Sequence, residues 1–168
     1  NDDGSDTVNL LLDHNTTATV AWASSGSNTS GPDEVLTQLN TDVASWNSAV
    51  KNTARLIQAS EIATITGYQN WNNNDYYFHT NSTTQYTGAA GTNKYAWLFD
   101  NTNDCITYGG CNIADSSNYG YWTKTSYSSS SIEAWFVFRG GALEIQTVEN
   151  DGDIGVRPVV SVSRSIIS

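Results

Sequence analysis

The sequence predicts an α+β fold, and three features of the chain indicate it. An amphipathic helix pattern lies in the first third, and apolar residues alternate with a period of two near the C-terminus. A long polar segment with many aromatic residues separates them. Strands followed by helices and then by a run of strands are typical of the α+β class. At 168 residues the chain is expected to form one domain.

The N-terminal part is predicted to contain a tail and two strands. Residues 1–7 are polar and are expected to be a tail or linker, so the domain is assigned to residues 8–168. Residues 8–12 and 18–22 are apolar and rich in strand-forming side chains. A turn at residues 13–15 is expected to separate these two strands.

A first helix is predicted from Pro32 to about Ser48. Proline suits the first helical position, and the acidic Asp33 and Glu34 lie at the positive end of the helix dipole. Apolar residues follow at helical spacing, so one face is expected to be buried. These residues are Val35, Leu36, Leu39, Val43 and Trp46.

A short strand and a second helix are predicted next. Residues 54–57 have the composition of a strand, and Ser60 is expected to cap a helix over residues 61–66. Residues 68–130 are rich in Asn, Tyr, Ser and Gly, and the aromatic residues spaced through them indicate ordered packing. We therefore expect two helices followed by one long ordered loop region.

The C-terminal part is predicted to be an antiparallel meander. Strand patterns occur at residues 121–123, 134–138, 142–148 and 156–163. Gly140-Gly141 is expected to form a hairpin turn, and residues 150–153 are expected to form another turn. Short connections of this kind place consecutive strands side by side.

Composition limits both the function and the location of the protein. A net charge of −10 disfavours nucleic-acid binding, because the chain repels phosphate groups. No stretch approaches the roughly 18 apolar residues of a membrane span, so no membrane insertion by this segment is expected. Few Lys residues and many Asn, Ser, Thr, Tyr and Trp residues are typical of an extracellular or cell-surface protein.

Two cysteines and an acidic loop lie within the long region. Cys105 and Cys111 are separated by five residues that include two glycines, which allows a small disulfide loop. Two free thiols are the alternative. Asp100, Asn103 and Asp104 provide closely spaced oxygen ligands and are candidate calcium ligands, with a solvated turn as the alternative.

No set of catalytic residues stands out in the sequence. His14 and His79 lie in no recognisable nucleophile motif, and no pair of carboxylates is singled out. No glycine-rich phosphate loop lies between a strand and a helix. Residues 150–153 are a second, looser candidate for calcium binding. The chain is therefore expected not to be an enzyme.

Residues 134–149 carry the most informative pattern. Alternation predicts a core side that contains Trp135, Val137, Leu143 and Ile145. The other side carries Phe136, Phe138, Ala142, Glu144 and Gln146. Exposed aromatic residues beside polar groups are typical of a binding surface. The alternative is that both faces are buried and that both phenylalanines belong to the core.

Four short motifs resemble the formylglycine-generating-enzyme-like branch of the C-type lectin fold. They are Arg55-Leu56 with Glu61, Gly120-Tyr121-Trp122-Thr123, Arg139-Gly140-Gly141 and Gly155-Val156-Arg157-Pro158-Val159-Val160. The motifs occur in the same order as in that branch and span residues 55–160. The resemblance implies a C-type-lectin-like fold. Arg157 is then expected to pair with a buried carboxylate or with carbonyls, and a surface arginine is the alternative.

Within that branch, residues 134–160 are similar to the variable proteins of diversity-generating retroelements. In those proteins a fixed scaffold carries diversified positions that face the ligand. Residues 11–18, with the later Trp22, are similar to pilin-like surface proteins of gut Firmicutes that carry such a domain. The resemblance implies these ligand-binding positions: Phe136, Phe138, Gly140, Ala142, Glu144, Gln146 and Glu149.

Two departures limit what the resemblance implies. The related enzyme oxidises a substrate cysteine with a copper-binding cysteine pair near its C-terminus, whereas Cys105 and Cys111 lie in the middle of this chain. Sugar-binding C-type lectins use Glu-Pro-Asn or Gln-Pro-Asp with Trp-Asn-Asp motifs, and this sequence contains none of them. Neither that oxidase activity nor calcium-dependent sugar binding is therefore implied.

The expected function is that of an adhesin- or receptor-type domain outside the cell. Its diversified face would bind a protein or glycan ligand, and calcium is the only candidate cofactor. A packed scaffold is expected to hold this face, and it consists of Trp122, Trp135, Val137, Leu143, Ile145 and Val159. The alternatives are a structural pilus or surface subunit, and an enzyme of the formylglycine-generating-enzyme-like fold.

Overall fold

The computed structural model describes most of the chain outside the long predicted loop region. The described residues are 6–17, 19–66, 71–74, 95–99, 120–139 and 142–167. The candidate calcium ligands, both cysteines and the predicted turn at Gly140-Gly141 lie outside these ranges. The helices and strands within them confirm the α+β class.

The elements follow the predicted order with several changed boundaries, but the expectation of two helices is wrong, because the described residues contain four α-helices, two of them a single turn long. The strands are β1 (Thr7–Leu11), β2 (Gly120–Ser126), β3 (Glu133–Phe138), β4 (Ala142–Thr147), β5 (Ile154–Gly155) and β6 (Val159–Ser163). The α-helices are α1 (Asp33–Asp42), α2 (Ser48–Lys51), α3 (Ala59–Thr66) and α4 (Arg164–Ile167). Within the described ranges, no helix has the length and apolar character that crossing a bilayer requires.

The strands form two sheets. β1 and β6 pair antiparallel, with Thr7 opposite Ser163. The second sheet has the order β4-β3-β2-β5, in which β3 pairs antiparallel with both neighbours and β5 runs parallel to β2.

The predicted tail is wrong at its end, because β1 already begins at Thr7 and Asp6 O accepts a hydrogen bond from Arg164 N (2.9 Å).

The first face of the four-stranded sheet packs against α3. Trp135, Val137 and Leu143 project from this face, as the alternation predicts, and all three are fully buried. Ile62 of α3 and Leu98 belong to the same apolar cluster. The core side predicted for these three residues is therefore confirmed.

The second face of the sheet is covered by α1 and by residues 19–23. Trp22 Nε1 donates a hydrogen bond to Thr123 O (2.9 Å), and Trp122 Nε1 donates one to Val20 O (2.7 Å). Both indole rings lie in a second apolar cluster together with residues of α1. Because a buried indole N–H needs an acceptor, these two bonds attach the N-terminal segment to β2.

Two predicted strands are wrong. Residues 18–22 are predicted as a strand, but the described residues 19–22 belong to no ladder, and Val20 N donates a single backbone hydrogen bond to Ile154 O (2.9 Å). The strand predicted at residues 54–57 is reduced to one bridge, between Arg55 and Val159. In both places apolar composition reflects burial rather than regular pairing.

Both predicted helices have shifted boundaries. α1 ends at Asp42, earlier than predicted, because the chain turns and Asn47 then caps a separate helix by accepting a hydrogen bond from Ala49 N (2.9 Å). α3 begins at Ala59, so Ser60 lies inside the helix instead of capping it.

The predicted C-terminal meander is interrupted. Residues 156–163 are predicted as one strand, yet β5 ends at Gly155 and β6 begins only at Val159. Pro158 lies in this gap and has no N–H to donate to a ladder. Because β6 joins β1 and β5 runs parallel to β2, only the β2–β3–β4 part is an antiparallel meander.

Arg157 is a buried cation with several backbone acceptors. Its side chain is 1% exposed. Nε donates to Leu12 O (2.6 Å), Nη2 donates to Trp97 O (2.9 Å) and Nη1 donates to Leu98 O (3.3 Å). The guanidinium carbon lies 5.2 Å from the centre of the Tyr121 ring. The expectation that Arg157 pairs with buried carbonyls is therefore confirmed.

Candidate functional site

One face of β3 and β4 carries five of the seven predicted ligand-facing positions. In the antiparallel register Phe136 lies opposite Glu144, and Phe138 lies opposite Ala142. Gln146 is two residues further along β4 and therefore lies on the same face as Glu144. The face assignment made from the sequence is confirmed by this register.

A pocket of about 210 Å³ lies on this face, between the β3–β4 hairpin and β5. We call it the sheet pocket. Four of the seven predicted ligand-binding positions line it, so the structure brings most of the predicted set together. The lining residues are Phe136, Phe138, Glu144, Gln146, Asp153 and Ile154.

The two phenylalanines contribute differently to the sheet pocket. Phe136 is 4% exposed and packs edge-on against Trp122, with ring centroids 6.1 Å apart. Phe138 is half-buried, and its ring centroid lies 6.3 Å from that of Phe136. The prediction of two exposed rings is wrong for Phe136, because α1 and residues 19–23 cover most of this face. Phe136 belongs to the core, and Phe138 is the more accessible ring.

The other three predicted positions do not line the sheet pocket. Ala142, the first residue of β4, is buried, with 5% of its surface exposed. Glu149 is exposed beyond the end of β4. Gly140 lies outside the described residues. The candidate site is therefore smaller than the set that the family resemblance implies.

Two lining residues, Asp153 and Ile154, are not among the predicted ligand-binding positions, although Asp153 belongs to the looser calcium candidate at residues 150–153. Ile154 lies opposite Gly120 in the parallel pairing of β5 with β2. Because Asp153 directly precedes Ile154, this pairing places Asp153 at the edge of the sheet. The turn before them is confirmed, since Asn150 Oδ1 accepts a hydrogen bond from Gly152 N (3.0 Å). The sequence signals the turn, but a two-residue parallel strand has no periodicity that would reveal its partner.

Burial raises the pKa of both carboxyl groups in the sheet pocket. Glu144 is half-buried, and burial alone raises its pKa above the ordinary value. Burial also raises the pKa of Asp153, and this effect exceeds the opposing effect of a hydrogen bond from the Asn150 side chain. Loss of water disfavours the charged form of a carboxylic acid. The pocket therefore contains two carboxyl groups whose ionised forms lack full solvation.

Replacing Glu144 with glutamine is expected to raise the free energy of unfolding at neutral pH. The pKa of Glu144 in the folded state lies above its ordinary value of 4.5, so the ionised side chain destabilises the folded state above that raised pKa. The gain should be fully present above the raised pKa and should disappear as the pH falls below 4.5, where the group is protonated in both states. Urea denaturation across this range measures the effect.

The control for this prediction is Glu133→Gln. Glu133 lies on β3 opposite Thr147 and projects from the other face of the sheet. The Glu133→Gln substitution removes the same charge from a residue that does not line the sheet pocket. A gain for Glu144→Gln that did not depend on pH, or that Glu133→Gln reproduced, would contradict a burial effect at Glu144.

The described residues contain no cluster of metal-ligating side chains. Among them, no group of three or more His, Cys, Asp and Glu side chains is placed to hold a metal ion. The candidate calcium ligands Asp100, Asn103 and Asp104 lie outside the described ranges. His14 contacts the neighbouring carboxylate of Asp13. The sheet pocket thus offers carboxylate, amide and aromatic groups for binding.

Comparisons with known proteins find no relative of this chain. No family model, no curated protein and no solved structure matches it. The sheet pocket and its chemistry are therefore the basis for proposing a function.

Proposed function

We propose that this chain is an extracellular ligand-binding domain of C-type-lectin-like fold, of the kind found in the variable proteins of diversity-generating retroelements. The observation that carries the proposal is the sheet pocket. Four of the positions that the resemblance implies as ligand-facing, within residues 136–146, line one pocket together. The domain would act as an adhesin or receptor whose binding face can change while its scaffold is retained.

The division of β3 and β4 into two faces supports this proposal. Val137 and Leu143 are fully buried in the first apolar cluster, whereas Glu144 and Gln146 are only half-buried beside the pocket. Substitution of the half-buried side chains would leave the first cluster intact. A display scaffold needs this separation, because each new binding face must be carried by the same packed core.

Two of the motifs behind the resemblance occupy structural positions. Arg55 and Glu61 form a bidentate ion pair, with Nη1–Oε2 at 2.7 Å and Nη2–Oε1 at 2.6 Å. Arg157 is buried among backbone carbonyls. The Arg55 side chain connects its segment to α3, and its backbone pairs with Val159. Arg157 connects the end of β5 with the distant residues Leu12 and Trp97. Their roles in the scaffold are consistent with motifs that remain fixed while a binding face varies.

The gene and its alleles test the proposal. We expect the gene to lie beside a near-copy of its own 3′ end and a reverse-transcriptase gene. We also expect substitutions among alleles to concentrate at codons for Phe138, Glu144 and Gln146 and to spare those for Trp135 and Leu143. Sequencing the locus in several isolates gives both results.

Two outcomes of that sequencing would count against the proposal. A locus that contains neither the near-copy nor the reverse transcriptase would contradict the retroelement origin. Substitutions spread evenly over the pocket and the first apolar cluster would contradict a display scaffold, since they would show no difference in constraint between the two faces.

A further inference from the structure

The sheet pocket combines acceptor groups with apolar walls. Its polar lining consists of two carboxyl groups, Glu144 and Asp153, and one amide, Gln146. Phe136, Phe138 and Ile154 supply the apolar lining. Among the described residues no Lys, Arg or His lines it. Within the described part of the chain, the pocket therefore has negative charge without a lining cation to neutralise it.

Asp153 contains a buried oxygen atom without a partner. Asp153 Oδ1 is shielded from solvent and accepts no hydrogen bond. A buried acceptor without a donor costs about 1–3 kcal/mol in general, and more when it is charged. Glu144, which lies on β4 at the other edge of the sheet from β5, has burial as the sole cause acting on its pKa. Both groups would therefore gain from a donor that enters the pocket.

The size of the pocket limits what can enter. Its volume of about 210 Å³ is below the range of roughly 300–1,000 Å³ typical of sites for whole small molecules. A single side-chain-sized group therefore suits it better than a complete cofactor. The apolar walls fit a group with an aliphatic stem and a polar end, such as the side chain of lysine or arginine.

Charge favours a cationic group over a neutral hydroxyl. A hydroxyl group donates one hydrogen bond and leaves both carboxylates charged and poorly solvated. An ammonium or guanidinium group donates several hydrogen bonds and neutralises charge at the same time. The phenylalanine rings also attract a cation through their faces. The net charge of −10 of the whole chain attracts such a group from a distance.

We propose that the sheet pocket binds a cationic nitrogen group, the ammonium or guanidinium end of a basic side chain or amine, between the carboxylates of Glu144 and Asp153. This inference rests on the proposed ligand-binding function and names the chemistry of its ligand. Phe138 contacts the aliphatic stem, and the Gln146 amide lies at the rim. Gln146 Oε1 already accepts a hydrogen bond from Thr147 N (2.9 Å), which leaves its N–H groups for a carbonyl of a peptide ligand.

Titration of the ¹⁵N-labelled chain with small probes tests the proposal. The probes are N-acetyl-lysine methylamide, N-acetyl-arginine methylamide and butylammonium. N-acetyl-norleucine methylamide is the matched neutral probe, and methyl α-mannoside represents hydroxyl ligands. We expect the cationic probes to cause saturable shifts of the amide signals of Phe138, Glu144 and Asp153, and this binding should weaken at high salt. If the capped amino acids bind more tightly than butylammonium, the natural ligand is a cation carried by a peptide. If the two kinds of probe bind equally, the natural ligand is a free amine.

Matched variants separate the pocket from general electrostatic attraction. Glu144→Gln and Asp153→Asn are each expected to weaken binding of the lysine probe about tenfold, because each removes a charged acceptor. Glu133→Gln on the opposite face and Asp151→Asn in the exposed turn remove the same charge outside the pocket. They are expected to change the affinity by less than about twofold, since exposed charges are screened.

The outcomes that would overturn this inference differ from those that concern the proposed function. Equal shifts with the norleucine probe, preferential binding of the mannoside, or equal losses in the pocket and control variants would each exclude a cation site. So would the absence of saturable shifts with any cationic probe. The allele pattern tests the proposed function separately, because it depends on which codons vary and not on the class of ligand.

Discussion

Replacing Arg157 with alanine is expected to lower the free energy of unfolding by about 3–5 kcal/mol. The guanidinium group donates to the backbone carbonyls of Leu12, Trp97 and Leu98 at 2.6, 2.9 and 3.3 Å. Its removal takes this donor from the Leu12 and Trp97 carbonyls, whereas Leu98 O keeps the Tyr121 hydroxyl as a donor (2.8 Å). It also creates a cavity beside Tyr121, over whose ring the cation lies. The loss is a large part of the roughly 5–15 kcal/mol that stabilises a typical domain.

Two further variants define the cause of this loss. Arg157→Lys keeps the charge but cannot form the planar set of donors, so we expect a smaller loss of about 2–3 kcal/mol. Lys124→Ala removes an exposed cation of β2 and is expected to change stability by less than about 0.5 kcal/mol. Urea denaturation followed by tryptophan fluorescence measures all three variants.

A stable Arg157→Ala variant would contradict this account of the fold. It would show that the Leu12 and Trp97 carbonyls find other donors, such as water, without cost. Full rescue by lysine would instead show that charge alone matters and that the geometry of the guanidinium group does not. Either result would show that the guanidinium group of Arg157 is not needed to connect residues 12 and 97–98 with the end of β5.

Alternation along the chain is sufficient to predict which side chains of β3 and β4 share a face. Trp135, Val137 and Leu143 lie on one buried face, and Glu144 and Gln146 lie on the other. This part is predictable because the period of two depends only on local backbone geometry. The same local pattern therefore identifies four residues of the sheet pocket before any tertiary structure is known.

The layers that cover each face depend on contacts between distant parts of the chain. Trp22 lies over β2 because its indole bonds to Thr123, which is 101 residues away. Nothing in the β3 pattern indicates that this segment and α1 bury Phe136. Asp153 enters the pocket through the parallel pairing of Ile154 with Gly120, which is set by tertiary packing. The two features of the site that the sequence does not predict are the burial of Phe136 and the position of Asp153. Both are therefore features that long-range packing determines.

The alanine variant of Phe136 is expected to lower the free energy of unfolding by about 3–5 kcal/mol, the usual cost of removing a buried phenylalanine side chain. Its ring is 4% exposed and packs against Trp122 and Phe138, at centroid distances of 6.1 and 6.3 Å. The cavity would open directly beneath the sheet pocket. Loss of ligand binding in this variant would therefore reflect loss of structure as well as loss of a contact.

Phe138→Ala is the matched comparison, because it removes the same atoms from a half-buried position at the edge of the same cluster. We expect a loss of about 1–2 kcal/mol, since less apolar surface leaves contact with the core. Chemical denaturation of both variants measures the difference. Equal and small losses would show that Phe136 is accessible after all and can act as an anchor for a ligand. With the expected difference, Phe138, Glu144 and Asp153 are the positions at which binding can be tested without unfolding the domain, because none of them is a central part of the core.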